Sequence, residues 1–307
     1  RFTVTHGGSS LGEFAAMGSI TVRDCDVTFH FENTNTIYFN NELTVLDHTL
    51  TMECSSATAD VVLQKADGNM GTIKVKKNSE STASLTINGS STKQFVIAGC
   101  LDELVIEKVG DSYQPATIPS VSDQTNSLME FNGGDVTMNY VTLKNNWSTG
   151  YGGAIYMVQR DGDGYVFNVT LANCVIENCT AENGGAVVMY SKPEVGYSAV
   201  NMNYCTVTNC LTRAKVDVDG TISTDGGANG LYINGGSIRD NYTNGGGGGI
   251  NWNTYSPLTV TGGCHIENNH ARVNGGGLEI KGNATLEGYV VIQDNECGNH
   301  GGGIYVS

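Results

Sequence analysis

The stretch Ile266-Glu267-Asn268-Asn269-His270-Ala271-Arg272-Val273-Asn274-Gly275-Gly276-Gly277-Leu278 decides the fold, because its two-part phrase is written six times between residues 143 and 306. The first part is an aliphatic residue, one further residue, Asn or Asp, then Asn or Cys. It recurs at Leu143, Ile176, Val207, Ile238, Ile266 and Ile292, in steps of 33, 31, 31, 28 and 26 residues. The second part is a glycine pair, Gly or Ala, and an aliphatic residue. It recurs at Gly152–Ile155, Gly184–Val187, Gly226-Gly227 with Leu231, Gly247–Ile250, Gly275–Leu278 and Gly301–Ile304. A fixed period of this size marks a stacked repeat.

One unit reads as three short strands: Leu278–Ile280, a turn, Ala284–Glu287, a break at Gly288, then Val290–Ile292. Three strands and three turns in one period describe a turn of a single-stranded, right-handed parallel β-helix. A lone coil cannot bury its inner face, so stacking supplies the core. Alternation assigns the faces. Two inward columns read Ile155, Val187, Leu231, Ile250, Leu278, Ile304 and Met157, Met189, Ile233, Trp252, Ile280, Val306. The outward column between them reads Tyr156, Val188, Tyr232, Asn251, Glu279, Tyr305. Corners need positive φ, which Gly takes freely and Asn tolerates. Asn146, Asn241, Asn269 and Asn295 form an expected asparagine ladder.

Working outward, residues 1–126 read as less regular coils and 127–307 as the regular repeats of one continuous all-β domain. Ser10-Leu11-Gly12-Glu13 has capping-box form, so a short helix is expected over the first coil. Gly110–Asn126, with Pro115 and Pro119, reads as a surface excursion, and Leu211–Asp225 as a second. The formal charge of −15 argues against nucleic acid and anionic membrane surfaces, which want basic patches. No apolar run is long enough to span a bilayer. The chain reads as a piece of a larger protein. Nine cysteines include Cys174 in register with Cys205 and Cys179 with Cys210, expected as free buried thiols.

Chemistry-bearing residues are sparse. Asp161 with Asp163, and Asp217 with Asp219, each pair two carboxylates beside a glycine. The second pair is the Ca²⁺ candidate, although a solvated polar turn is the preferred reading of both. No other cofactor is expected. The aromatic residues are more informative. Tyr156, Tyr190 and Tyr232 fall on one wall, with Trp147 and Tyr151 on the preceding turn. Such rings stack on sugars or pack on a protein partner, although tyrosine also favours strands on its own account. A ligand is expected along this wall, near Asp161, Asp163 and the Leu211–Asp225 segment.

Gly152-Gly153-Ala154-Ile155 matches a GGAI motif, and Leu143–Asn146, Ile238–Asn241, Ile266–Asn269 and Ile292–Asn295 match FxxN with an aliphatic residue for Phe. These paired motifs resemble the repeats of the polymorphic outer-membrane protein family of bacterial surface adhesins and autotransporters. The resemblance covers residues 127–307. It implies a right-handed β-helix on a secreted or surface-anchored bacterial protein that binds a surface glycan or host protein. The competing class is a polysaccharide lyase or glycoside hydrolase on the same fold. Neither an Asp-Asp pair nor a Gly-His-Gly turn is present, and Arg160, Arg213 and Lys215 are the nearest basic residues to an acidic loop. A binding scaffold is therefore preferred to an enzyme.

Overall fold

The computed structural model describes residues 2–6, 19–31, 36–39, 42–46, 48–54, 60–65, 72–77, 83–120, 124, 126–159, 165–190, 197–214, 220–225 and 229–307. It is a right-handed parallel β-helix. Among the described residues every element is a strand. The chain visits three walls in turn, here called sheets A, B and C. Sheet A has ten strands, from Phe2–His6 to Ala284–Leu286. Sheet C also has ten, from Ile20–Val22 to Ile304–Val306. Sheet B runs from Thr36–Phe39 to Val291–Gln293. Within these three sheets the strands pair in parallel with the equivalent strand one coil away, as in Ile155↔Val187 and Ile266↔Ile292. The right-handed sense is the one that parallel crossovers take.

The core is built from vertical ladders of aliphatic side chains. Sheet A contributes Leu50, Leu85, Val136, Val169, Val200, Leu231 and Leu258. Sheet B contributes Ile97, Leu143, Ile176, Val207, Ile238 and Ile266. All are buried in one cluster. Each buried aliphatic stabilises by about 1.5–3 kcal/mol against exposure, so the ladders carry the fold.

The corners divide their work between adjacent residues. At the bend of sheet B, Asn145, Asn178, Asn209, Asp240, Asn268 and Asp294 take φ of +50 to +57°. The next residue turns inward. Asn241 Nδ2 donates to Asn269 Oδ1 at 3.0 Å, and Asn269 Nδ2 to Asn295 Oδ1 at 3.0 Å. Asn146 instead donates to Gly153 O at 2.7 Å. The B-to-C corner uses the first glycine of the pair: Gly152, Gly184, Gly247, Gly275 and Gly301 have φ of +58 to +70°.

Three expectations need correction. In the third copy the sheet C strand is Ile222–Asp225, pairing Val187↔Ile222 and Ile222↔Ile250. Leu231, Tyr232 and Ile233 belong to sheet A, where Val200↔Leu231 and Asn201↔Tyr232 pair. Gly220-Thr221 forms the corner there, so Gly226-Gly227 matches the motif in the wrong place; residues 226–228 lie outside the described residues. Secondly, the 211–225 excursion shrinks, because Leu211–Thr212 is also a strand of sheet B. Thirdly, the outward column of sheet C is not uniformly exposed. Val188, Ser223 and Asn251 are buried, Asn251 at 1% exposure. A Cβ on Gly184 would sit 2.0 Å from Val188 Cγ2, and one on Gly220 2.8 Å from Asn251 Cβ, so the corner backbone roofs these side chains. The expected N-terminal helix at Ser10–Met17 lies outside the described residues.

All nine cysteines are free thiols. Cys174 lies against Cys205, and Cys179 against Cys210, and their thiols donate to backbone carbonyls, as Cys174 to Met138 O at 3.4 Å and Cys210 to Thr208 O at 3.3 Å. Burial and the partner thiol push Cys210 well above the ordinary thiol range.

Candidate functional site

The 110–126 excursion begins as a β-hairpin, Ile106–Val109 with Ser112–Pro115, turning at Gly110-Asp111. It folds back onto the outer face of sheet B, far along the chain. The docking column on that face is Trp147, Thr180, Leu211, Tyr242, His270 and Glu296, one residue per coil. Leu104, Tyr113 and Leu211 form a small core under the hairpin, with Ile106 and Tyr242 against it. The Tyr113 ring lies 5.3 Å from Tyr242 and 6.0 Å from His270, and Tyr242 stacks on His270 at 4.8 Å.

Asn244 clasps the hairpin through its backbone. Its Oδ1 accepts from Tyr113 N at 2.7 Å and its Nδ2 donates to Tyr113 O at 2.8 Å, with a further bond to Arg213 O at 2.9 Å. A side-chain amide has the donor and acceptor of a neighbouring strand, and here it occupies that place. Burial raises the Tyr113 hydroxyl to about 12, with Glu296 adding to the shift. Burial likewise lowers His270, while Glu296, 3.3 Å away, opposes it.

Beside the hairpin, Arg213 is held rigidly. Its guanidinium donates to Ser148 O at 2.7 Å, Thr180 Oγ1 at 3.0 Å and Glu182 Oε1 at 3.1 Å. It lies over the Trp147 ring, 4.1 Å from the centroid. Desolvation lowers its pKa and the Glu182 carboxylate offsets this. Trp147 is consequently only 6% exposed, a platform for Arg213 and not a free aromatic. Around the same corner Tyr151 stacks on Tyr156 at 5.2 Å, 15° from parallel, and Ser148 Oγ donates to Tyr151 O. Between Arg213, Asn244 and the Asp111–Pro115 strand lies a cleft of about 390 Å³.

The structure therefore brings Trp147, Tyr151 and Tyr156 together and separates Tyr232. Tyr190 is half-buried at the end of its sheet C strand, pairing with Val158 and Asp225. Tyr232 is on sheet A, hydrogen-bonded through its hydroxyl to Tyr197. Asp161 and Asp163, and the Ca²⁺ candidates Asp217 and Asp219, lie outside the described residues. Among the described residues no group of three or more His, Cys, Asp or Glu side chains converges. The sequence reading missed the hairpin and Asn244, because a docking over 131 residues leaves no local pattern. Pro115 beside alternating Tyr113 was the only local sign of an edge strand.

Comparison with known proteins gives one finding. Residues 140–157 match the model of the Chlamydia polymorphic membrane protein repeat. No curated protein and no solved structure gives a match. The matched segment contains the bend at Asn145-Asn146, the Trp147 platform, the glycine corner and Tyr156. In its repeat motif and its β-helix, the chain resembles the polymorphic membrane proteins, a likeness that implies a bacterial outer-membrane or cell-surface protein.

Proposed function

We propose that this chain is a binding scaffold displayed at the bacterial cell surface, an adhesin-type module that takes a host protein or surface glycan. The observation that carries this reading is the inserted hairpin, docked across several coils and leaving a cleft against Arg213 and Asn244, with Arg213 reaching on to Ser148 at the corner that carries the Tyr151–Tyr156 stack. Inserted loops held on a rigid scaffold are where binding concentrates. The nearby carboxylates are committed to structure: Glu182 to Arg213, Glu296 to His270 and Lys108. This supports recognition over acid–base catalysis. Asp111 on the cleft rim is paired with Arg272 at 3.7 Å, and the overall negative charge favours a neutral or basic partner.

The test is to replace Tyr151 and Tyr156 together by Ala, confirm unchanged melting, and measure binding to glycan arrays and intact host-cell surfaces. Reduced binding supports the corner; undiminished binding moves the site elsewhere. A parallel assay for unsaturated products from acidic polysaccharides decides the enzyme alternative, since turnover there replaces the scaffold reading with a lyase.

A further inference from the structure

Sheet A presents a second surface with different chemistry. From strand Phe167–Ala172 to strand Leu258–Thr261 its outward face carries no charged side chain among the described residues, in a chain of formal charge −15. Its floor carries short polar groups in two columns: Thr170, Asn201 and Thr259, with Tyr232 between the last two, and Asn203 beside Asn234. Among the described residues, the side-chain amides of Asn201, Asn203 and Asn234 make no hydrogen bond within the chain. They contrast with the asparagines of the sheet B bend, whose amides are bonded to one another.

Aromatic side chains flank this floor. Tyr197, just before its sheet A strand, reaches across to the next coil, where its hydroxyl is hydrogen-bonded to that of Tyr232, which stands between Asn201 and Thr259 in the floor column. At the A-to-B end stands Tyr204, 60% exposed, with its ring over Gly235. Tyr204 has φ +54°, a conformation that a bulky residue adopts at a cost. On the neighbouring coils the same corner uses Asn173 and Gly235, which take that backbone more cheaply. Tyr140 takes the same corner two coils earlier at φ +52° but is half-buried, so what sets Tyr204 apart is that its ring is presented to solvent. Tyr204 lies three positions beyond Asn201, the residue that pairs with Tyr232, so roughly 10 Å of strand separates the two aromatic residues.

We propose that this face of sheet A binds a neutral oligosaccharide lying along the strand between the Tyr197–Tyr232 pair and Tyr204. The C–H face of a hexose ring packs on the exposed Tyr204 ring, and its hydroxyls bond the free amides of Asn201, Asn203 and Asn234. An anionic glycan meets no cation among the described residues of this face and is repelled by the net charge of the chain. A protein partner would want an apolar, desolvated centre that the amide floor lacks. The surface is on a different wall from the hairpin cleft, and its binding does not depend on that site.

The experiment titrates the whole chain calorimetrically with cellohexaose, chitohexaose and hexagalacturonate. At least one neutral hexaose should bind saturably, and hexagalacturonate should not. Tyr204→Gly relieves the backbone, so melting should hold or rise, while affinity should fall about tenfold, the size of one aromatic contact. Tyr204→Phe should keep the affinity. The proposal is overturned if neither neutral hexaose binds, if hexagalacturonate binds as tightly, or if Tyr204→Gly binds like wild type.

Discussion

At the bend of sheet B, Asn268 takes φ +52° and its neighbour Asn269 turns inward to bond the coils above and below. Asn269 is fully buried, and its Nδ2 also donates to Ile238 O at 2.8 Å. Asn269→Ala should therefore strand buried donors and acceptors and cost about 1–3 kcal/mol, with more expected if several groups lose partners. Asn268→Gly keeps the turn and should change stability by about 0.5 kcal/mol or less. Urea denaturation of the two variants checks the difference. The ladder was legible in the sequence because both residues recur at the same place in successive copies. The split between turning and bonding was not, since one amino acid serves both. Trp147 shows a similar limit: its type and position suggested an exposed ring, but Arg213 lies over it from two coils away.

The hairpin is the element that the repeat does not explain. Asn244 alone satisfies both backbone groups of Tyr113, so Asn244→Ala should release it. Hydrogen exchange would then show loss of protection at Tyr113 and its strand, while the coil strands keep theirs. Acid should act in the same direction. Burial lowers His270 below its ordinary value despite Glu296, with Lys108 adding to the lowering. The docked state thus favours neutral His270, and its contribution is present above an unfolded value of about 6.5 and lost as pH falls through it. Exchange at pH 5 should be faster at the hairpin than at pH 7.5 after correction for intrinsic rates. His270→Gln should flatten that dependence. The missed third copy also belongs to this scale. In the other copies the sheet C strand begins eleven or twelve residues after the aliphatic position, and in the third it begins fifteen after Val207, at Ile222. Counting spacing would have rejected Leu231; matching the glycine pair alone selected it.

Over the whole molecule, the sheets run from the first coils into the regular repeats through the same ladders. Strand Ser84–Asn88 pairs with Gly134–Asn139, so the hairpin leaves and rejoins without breaking sheet A. Periodicity made the wall architecture readable, since inward residues must be apolar in every coil. The binding surfaces were less readable, because outward positions are free to vary and their neighbours come from other coils. The central claim is the stacking itself, and distance should grow by about 4.8 Å per coil along one outward column. That column runs Thr51, Thr86, Thr137, Thr170, Asn201, Tyr232, Thr259. The direct measurement is pulsed electron–electron resonance between labels introduced without thiol chemistry at Thr51 and Asn201, and at Thr51 and Thr259. Backbone separations near 19 Å and 29 Å are predicted, in that order. Equal distances, or a shorter separation for Thr51–Thr259, would contradict the β-helix.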